Sequence, residues 1–391
     1  MVLTTKQEEG LKIALERYRH GEKYTVISGY AGVGKTTLVN FIISALGLDP
    51  ENEVAYVAYT GKASEVLREK GNPNATTAHR LLYYSKQMPN GKFYYRPRLS
   101  IPYRLVVVDE ISMLPKDMWD LLLTHDTHVI ACGDPFQIPP IAKDQDNHVL
   151  DHPHIFLDEV MRQAKESDII CLSMDIRQGK MISPYRGNDA QVFYKKDLKD
   201  GMYFWADQIL VSTNRTRYDI NTYMREVENR ESEPEVGDKI ICLRNSWDTV
   251  SEKNKDPLIN GTIGWIESLE PETMYYNLQG RPIAENILRA NITTQYDKYI
   301  GLPIDYKALT TGEKTFTPQQ EYYLRKDKSN PALPMEFNYG YSITGHKAQG
   351  SQWPKVLVME ESFPFAKEEH ARWLYTCCTR PSDKLTLILK Q

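Results

Sequence analysis

Short apolar runs, each stopping at a small or polar residue, recur through the first 140 positions. They are Tyr24-Thr25-Val26-Ile27-Ser28, Glu53-Val54-Ala55-Tyr56-Val57-Ala58-Tyr59-Thr60, Arg104-Leu105-Val106-Val107-Val108-Asp109-Glu110 and His128-Val129-Ile130-Ala131-Cys132-Gly133-Asp134. Continuous apolar runs of this length suit strands buried on both faces, as in a parallel sheet covered by helices. Helical stretches separate them: one from Leu3 capped by Thr4 or Thr5, one over Thr37–Leu46, and one beginning at Gly61-Lys62-Ala63-Ser64. The texture returns later, with a helix over Ile169–Ile176, a strand over Gln208–Asn214, a strand over Lys355–Glu360, a helix over Glu368–Thr379 and a final strand over Lys384–Leu389. Between them, Val236–Cys242 and Asn260–Ile266 read as short strands joined by turns, a small β-barrel-like insertion. Tyr-rich, turn-rich sequence runs on to about Pro334 and carries the weakest pattern. The expectation is an α/β chain whose second half is interrupted by β structure.

The first strand ends in Gly29-Tyr30-Ala31-Gly32-Val33-Gly34-Lys35-Thr36, which fits G-x-x-x-x-G-K-[ST] with a strand before it and a helix after it. The glycines let backbone N–H groups close around phosphates, Lys35 reaches the β- and γ-phosphates, and the Thr36 hydroxyl holds Mg²⁺. The helix N-terminus adds partial positive charge there. The chain is therefore expected to bind a nucleoside triphosphate with Mg²⁺. Further along, Asp109 at a strand end is the acid that holds Mg²⁺ in such sites, and Glu110 beside it is placed to orient a water. Asp134 and Gln137 close a third strand end, and in a parallel sheet these ends gather on one edge.

The 391 residues allow two or three domains, and 41% hydrophobic with 26% charged residues is ordinary for a soluble globular protein. No leader pattern opens the chain and no run reaches membrane-span length. Five cysteines without C-x-x-C spacing indicate neither a zinc site nor a disulfide framework, so a reducing, cytoplasmic setting is expected. A net charge of −4 excludes a general polyanion binder, so nucleic acid must be held in a local groove.

One stretch departs from that balance. Residues 80–104 hold Arg80, Lys86, Lys92, Arg96, Arg98 and Arg104 with no acidic residue, interleaved with Tyr83, Tyr84, Phe93, Tyr94, Tyr95 and Tyr103. Asn90-Gly91 in the middle is a hairpin signal. Rings for stacking and cations for phosphates suit a single strand, whereas the plainer reading puts the rings on the core. Thr60-Gly61-Lys62 at a helix start also suits a phosphate backbone. His148, His152 and His154 with Asp146 and Asp151 look like a metal cluster, but their irregular spacing around Pro153 argues against one.

Taken in order, these blocks resemble the superfamily 1 helicases, in the 5′→3′ branch that includes the RecD and phage Dda enzymes. The resemblance implies two RecA-like P-loop motor domains: residues 1–79 with 105–165, and 166–235 with 335–391. It makes residues 80–104 a strand-separating pin and 236–334 an SH3-like insertion and extension. It implies that Gln7 reads adenine and that Gly29, Ala31, Gly32, Val33, Gly34, Lys35, Thr36, Thr37 and Gly350 hold ATP. Asp109-Glu110-Ile111-Ser112 matches the DExx box, with Asp109 on Mg²⁺ and Glu110 as general base. Gln137 would sense the γ-phosphate, and Arg162 and Arg380 would supply its two arginines. Thr60, Lys62, His79, Thr344 and His346 would grip the strand, with Phe93 and Tyr94 at the pin. Tyr59, Gln352 and Pro381 depart from the residues usual beside these motifs. The implied partners are single-stranded DNA and its duplex junctions, with replication or single-strand-binding proteins compatible and a monomer acting alone. Two alternatives stay open: a translocase or RNA helicase that does not split duplex DNA, and a P-loop switch or kinase that binds no strand.

Overall fold

The computed structural model describes residues 3–390 apart from 73, 88–92, 140–146, 161–165, 254–256, 296 and 362–366. The chain divides into two compact units, one made of Met1–Gln87, Tyr94–Ser212 and Thr344–Gln391, the other built on Thr213–Ile343. Both parallel sheets lie in the first unit.

In the first sheet the strands run Ala75–Thr77, Val54–Ala58, Leu105–Val108, His128–Gly133, Tyr24–Gly29 and Ile155–Leu157, in that spatial order and all parallel. The unbroken apolar runs have a direct cause. Side chains alternate faces along a strand, and here both faces are covered. Val54, Tyr56, Ala58, Leu105 and Val107 join one core with Leu38 and Ile42 of the helix Lys35–Leu46. Ala55, Val57, Val106 and Val108 join another with Leu82, Trp119 and Leu122. Parallel direction then brings the carboxyl ends of Gly29, Ala58, Val108 and Gly133 to one edge.

The second sheet carries Gln208–Val211, Trp353–Met359, Pro381–Leu389 and Ala190–Tyr194 as parallel neighbours, with Tyr185–Arg186 antiparallel beside the last. Beyond Val211, the Ser212 backbone N–H and hydroxyl both donate to Glu361, at 2.6 and 2.5 Å.

The other unit departs from the expected short strands. Ile263–Leu278 and Arg281–Thr293 form one long antiparallel ribbon, paired from Trp265↔Thr293 to Leu278↔Arg281. Lys298–Asp305, Lys239–Cys242 and Phe337–Tyr339 complete a five-stranded sheet. The turn is Gln279-Gly280, both with positive φ (54° and 84°), as a tight hairpin requires. The stretch expected to be turn-rich holds two helices, Tyr306–Thr311 and Pro318–Lys326, the second opened by a Thr317/Gln320 capping box with proline at its start.

Within the candidate pin, Ala78–Leu82 is a short helix and Tyr83–Gln87 pairs with Phe93–Pro97. Asn90-Gly91 and Lys92 lie outside the described residues, as do the side chains of Phe93 and Tyr94. Tyr83 and Tyr103 pack against the first-sheet core, so part of the aromatic content follows the plainer reading. Tyr84 is exposed, with the Arg98 guanidinium 4.0 Å from its ring centroid.

The second unit also contains a buried ion pair. Asp238 is fully buried and accepts from Arg225 Nε at 3.0 Å, the Tyr341 hydroxyl at 3.0 Å and the Glu235 backbone N–H at 2.8 Å. Removing one partner leaves the other charge buried and uncompensated. Asp238→Ala is expected to destabilise this unit by about 3–5 kcal/mol, read from its transition in urea. A loss within 1 kcal/mol, about the worth of a surface pair, would show that the pair is solvated.

Candidate functional site

The phosphate loop is shaped by positions where a side chain does not fit. A Cβ on Gly29 would lie 2.7 Å from Leu157 O and 2.9 Å from Val33 Cγ2. Gly32 and Gly34 have φ of 74° and 78°, a left-handed conformation that glycine adopts at little cost. Val33 is buried, Thr36 is exposed and Thr37 half-buried in the first turn of the following helix. Lys35 Nζ donates to the carbonyls of Gly29 (2.7 Å) and Tyr30 (3.0 Å), which folds the lysine back over its own loop.

Gln7 reaches the same loop from the first helix. It is 1% exposed, its Nε2 donates to Val33 O at 3.1 Å and Gly34 O at 3.3 Å, and its Oε1 accepts from Thr4 N at 2.9 Å. The amide therefore braces the loop against the N-terminal helix, and reading a base would mean giving up part of that bracing.

Asp109 and Glu110 leave the strand Leu105–Val108 at the shared edge. Asp109 is half-buried, and desolvation raises its carboxyl above the usual range, with Glu110 adding to the rise and Lys35 opposing it. Glu110 has φ 52°, a left-handed backbone that costs a non-glycine residue on the order of 1–3 kcal/mol and concentrates at functional sites. Its side chain meets Arg380, with Nη1 3.7 Å from Oε1. Gln137 bridges the two: the amide nitrogen donates to Glu110 Oε2 at 3.3 Å and its oxygen accepts from Arg380 Nη2 at 3.2 Å, the orientation that satisfies both ends. Arg380 is 3% exposed and fixed by Nε to Thr376 O (3.0 Å) and Nη2 to Thr379 Oγ1 (3.2 Å). A carboxylate, an amide and a guanidinium from distant parts of the chain thus converge in one cluster. Arg162, the other expected arginine, lies outside the described residues.

A family model for an AAA domain matches residues 3–191, and one for a UvrD-like helicase C-terminal domain matches residues 339–388. The RecD2 DNA helicase of Deinococcus radiodurans is 25% identical over 93% of this chain and 46% of its own length. The Dda DNA helicase of Enterobacteria phage T4 is 23% identical over 78% of this chain and 71% of its own. The chain resembles the superfamily 1 helicases, in the branch of RecD and Dda. It spans less than half the length of the Deinococcus relative. The Pif1 helicase of Candida albicans overlays with a TM-score of 0.47 at 17% identity, covering 99% of this chain and 94% of that one.

The expected strand-gripping residues lie at several places. Thr60 caps the helix Gly61–Glu69, its hydroxyl accepting from Ala63 N at 3.1 Å. The side chain of Lys62 is outside the described residues. Gly350 has φ 67°, and a Cβ there would lie 2.7 Å from Met113 Sδ, so close packing accounts for the glycine. Thr344 is buried at a strand end, and burial lowers the His346 pKa. Among the histidines suspected of metal binding, His154 Nδ1 accepts from Val26 N at 2.9 Å and His148 pairs with Asp151 at 3.1 Å. Among the described residues no group of three or more His, Cys, Asp or Glu is placed to hold a metal, and no helix is long and apolar enough to cross a membrane.

Sequence reasoning passed over Tyr375 and Thr376. The Thr376 hydroxyl accepts from Ile138 N at 3.0 Å, and the Tyr375 hydroxyl contacts Ala31 N and Asp134. Their only signal was their place in the helix expected over Glu368–Thr379, where a tyrosine beside Trp373 and Leu374 reads as core.

His79 stacks on Tyr83, centroids 6.0 Å apart, and lies 6.1 Å from Tyr59. Burial pulls its pKa from 6.5 down to about 4, so it is neutral at pH 7. A folded pKa below the unfolded value means that the unfolded chain binds the extra proton. Stability should therefore fall as pH drops from 6.5 toward 4, and His79→Gln should flatten that slope. An NMR titration placing His79 near 6.5 would refute the assignment.

Proposed function

We propose that this chain is an ATP-driven DNA helicase that moves 5′→3′ along a single strand and separates duplex at the hairpin of residues 80–104. The observation that carries the reading is the Glu110–Gln137–Arg380 cluster beside a phosphate loop. Phosphoryl transfer needs little covalent help from protein and much positioning and charge stabilisation. Glu110 accepts the proton of the attacking water, Gln137 orients that water and the γ-phosphate, and Lys35, Arg380 and Arg162 neutralise charge on the phosphoryl oxygens. The half-buried Asp109 carboxylate and the Thr36 hydroxyl are hard oxygen donors of the kind Mg²⁺ takes, and they would hold it. When bound, the ion offsets charge on the β- and γ-phosphates.

Arg380 precedes a strand of the second sheet, while Lys35, Glu110 and Gln137 follow strands of the first. We infer that residues 1–79 with 105–165 and residues 166–235 with 335–391 act as two motor halves. Hydrolysis then depends on their approach, and approach and release around a gripped strand produce steps. Thr60, Lys62, His79, Thr344 and His346 are the proposed grip, and residues 236–334 the proposed SH3-like guard. Because Tyr83 and Tyr103 pack on the core, a translocase that does not split duplex is the second reading.

Two DNA duplexes, one with a 5′ and one with a 3′ single-stranded tail, test the whole proposal, with hydrolysis followed alongside. Opening of only the 5′-tailed duplex with strand-stimulated hydrolysis is expected. Opening of only the 3′-tailed duplex would overturn the direction, and hydrolysis indifferent to the strand would favour an ATP switch. Lys35→Ala and Arg380→Ala should each lower turnover by about 10³-fold or more; near-normal turnover in either refutes the site. Alanine at Phe93, Tyr94 and Tyr95 should spare hydrolysis and stop unwinding, and unchanged unwinding would leave the translocation motor without its pin.

A further inference from the structure

Tyr375 lies in the helix Lys367–Cys378, 1% exposed, with its ring edge-on to Phe136 at 5.2 Å. Its hydroxyl holds one proton. The Ala31 backbone N–H donates to the oxygen at 2.8 Å, so the phenolic proton goes to Asp134 Oδ2, 2.5 Å away. The other Asp134 oxygen accepts from Phe136 N at 2.9 Å. One phenol thus joins the phosphate loop, the acid at the end of the strand His128–Gly133 and the helix leading to Arg380. Packing alone does not require this. A phenylalanine would fill the same space but leave Ala31 N–H and a buried carboxylate oxygen without this partner, which buried polar groups rarely tolerate. The node continues along the helix: Thr376 accepts from Ile138 N, and Arg380 Nε donates to Thr376 O at 3.0 Å. Ala31 N–H belongs to the loop that faces the terminal phosphates in phosphate-loop sites.

We propose that Tyr375 is a positioning residue for ATP hydrolysis: its hydroxyl sets the spacing between Ala31 and Asp134, and through its helix the register at which Arg380 meets Glu110 and Gln137. The proposal rests on the hydrolysis reading above, and Tyr375 itself need touch no reacting atom. Its effect falls on the chemical step more than on ATP capture, because the loop glycines and Lys35 remain in place.

The test compares wild type, Tyr375→Phe, Asp134→Asn and the double variant in steady-state hydrolysis with a saturating single-stranded oligonucleotide. The expected result for Tyr375→Phe is a kcat lower by about tenfold or more, since small misplacements near a reacting centre cost up to about 10² in rate, with KM for ATP within about threefold. Asp134→Asn should cause a similar loss, and the double variant little further loss, because both changes break one node. A Tyr375→Phe kcat within about twofold of wild type, a change confined to KM, or losses that multiply in the double variant would each overturn the proposal. Should Tyr375→Phe not fold, Asp134→Asn carries the same kcat expectation. Wild type without strand-stimulated hydrolysis would instead sink the underlying reading, an outcome distinct from an indifferent Tyr375→Phe.

Discussion

Acidic groups buried together beside an apolar core are costly unless cations and hydrogen bonds are brought to them. Asp109 and Asp134 both sit at strand ends of the first sheet, and burial raises both carboxyls above the usual range. Lys35 opposes that rise at each. Glu110, next to Asp109, finds Arg380 and Gln137. The acids come from residues 109–134, while the cations come from residue 35 on one side and residue 380 on the other. The parallel sheet makes this economical, since it delivers the loop at Gly29, the acids at 109–110 and the Asp134–Gln137 segment to one edge. The remaining cation must come from elsewhere, and a second sheet brings it.

Much of this was legible in the sequence because its causes are local. Two buried faces produce continuous apolar runs, so the first sheet announced its strands. A loop that must let backbone amides face outward needs glycine at defined positions, so Gly29, Gly32 and Gly34 were visible as a spacing. Asp109 and Gln137 were visible as polar residues at the ends of apolar runs. What was not legible depended on distance. Nothing local says that Gln7 spends its amide bracing the loop, or that the Tyr375 phenol meets Ala31, 344 positions away. A tyrosine whose ring packs on Phe136 while its oxygen bonds a loop amide and a carboxylate looks like core from its own sequence neighbours.

The second unit was misread for a different reason. Its longest element, the ribbon Ile263–Leu278 with Arg281–Thr293, is mostly exposed along its middle and carries Pro271 inside a strand. An exposed ribbon shows no apolar alternation, and proline argues for a break. Its turn is Gln279-Gly280, where asparagine or aspartate would have been the stronger cue. By contrast, Thr317-Pro318-Gln319-Gln320 holds a complete helix-start signal, a capping box with proline at the first turn, inside an otherwise turn-rich stretch.

The segment Asp134–Ile138 leaves the first sheet, yet residues that belong with the second hold it at both ends. Tyr375 bonds Asp134, Arg372 donates to Pro135 O at 3.2 Å, and Thr376 and Gln349 take the N–H and carbonyl of Ile138. Gln137 sits inside that clamp. Its position relative to Glu110 is therefore set by a helix more than 230 residues downstream as much as by its own strand. Since Arg380 bonds the same helix at Thr376, and Thr379 just beyond it, Gln137 and Arg380 are held in register by one helix, which Tyr375 also ties to Ala31 of the phosphate loop. A motor that couples hydrolysis to the approach of two halves needs its γ-phosphate contacts to arrive as a set rather than one by one. This wiring is what would impose that on the proposed cycle: a partial approach leaves all of them misplaced, and a full one aligns them in a single step.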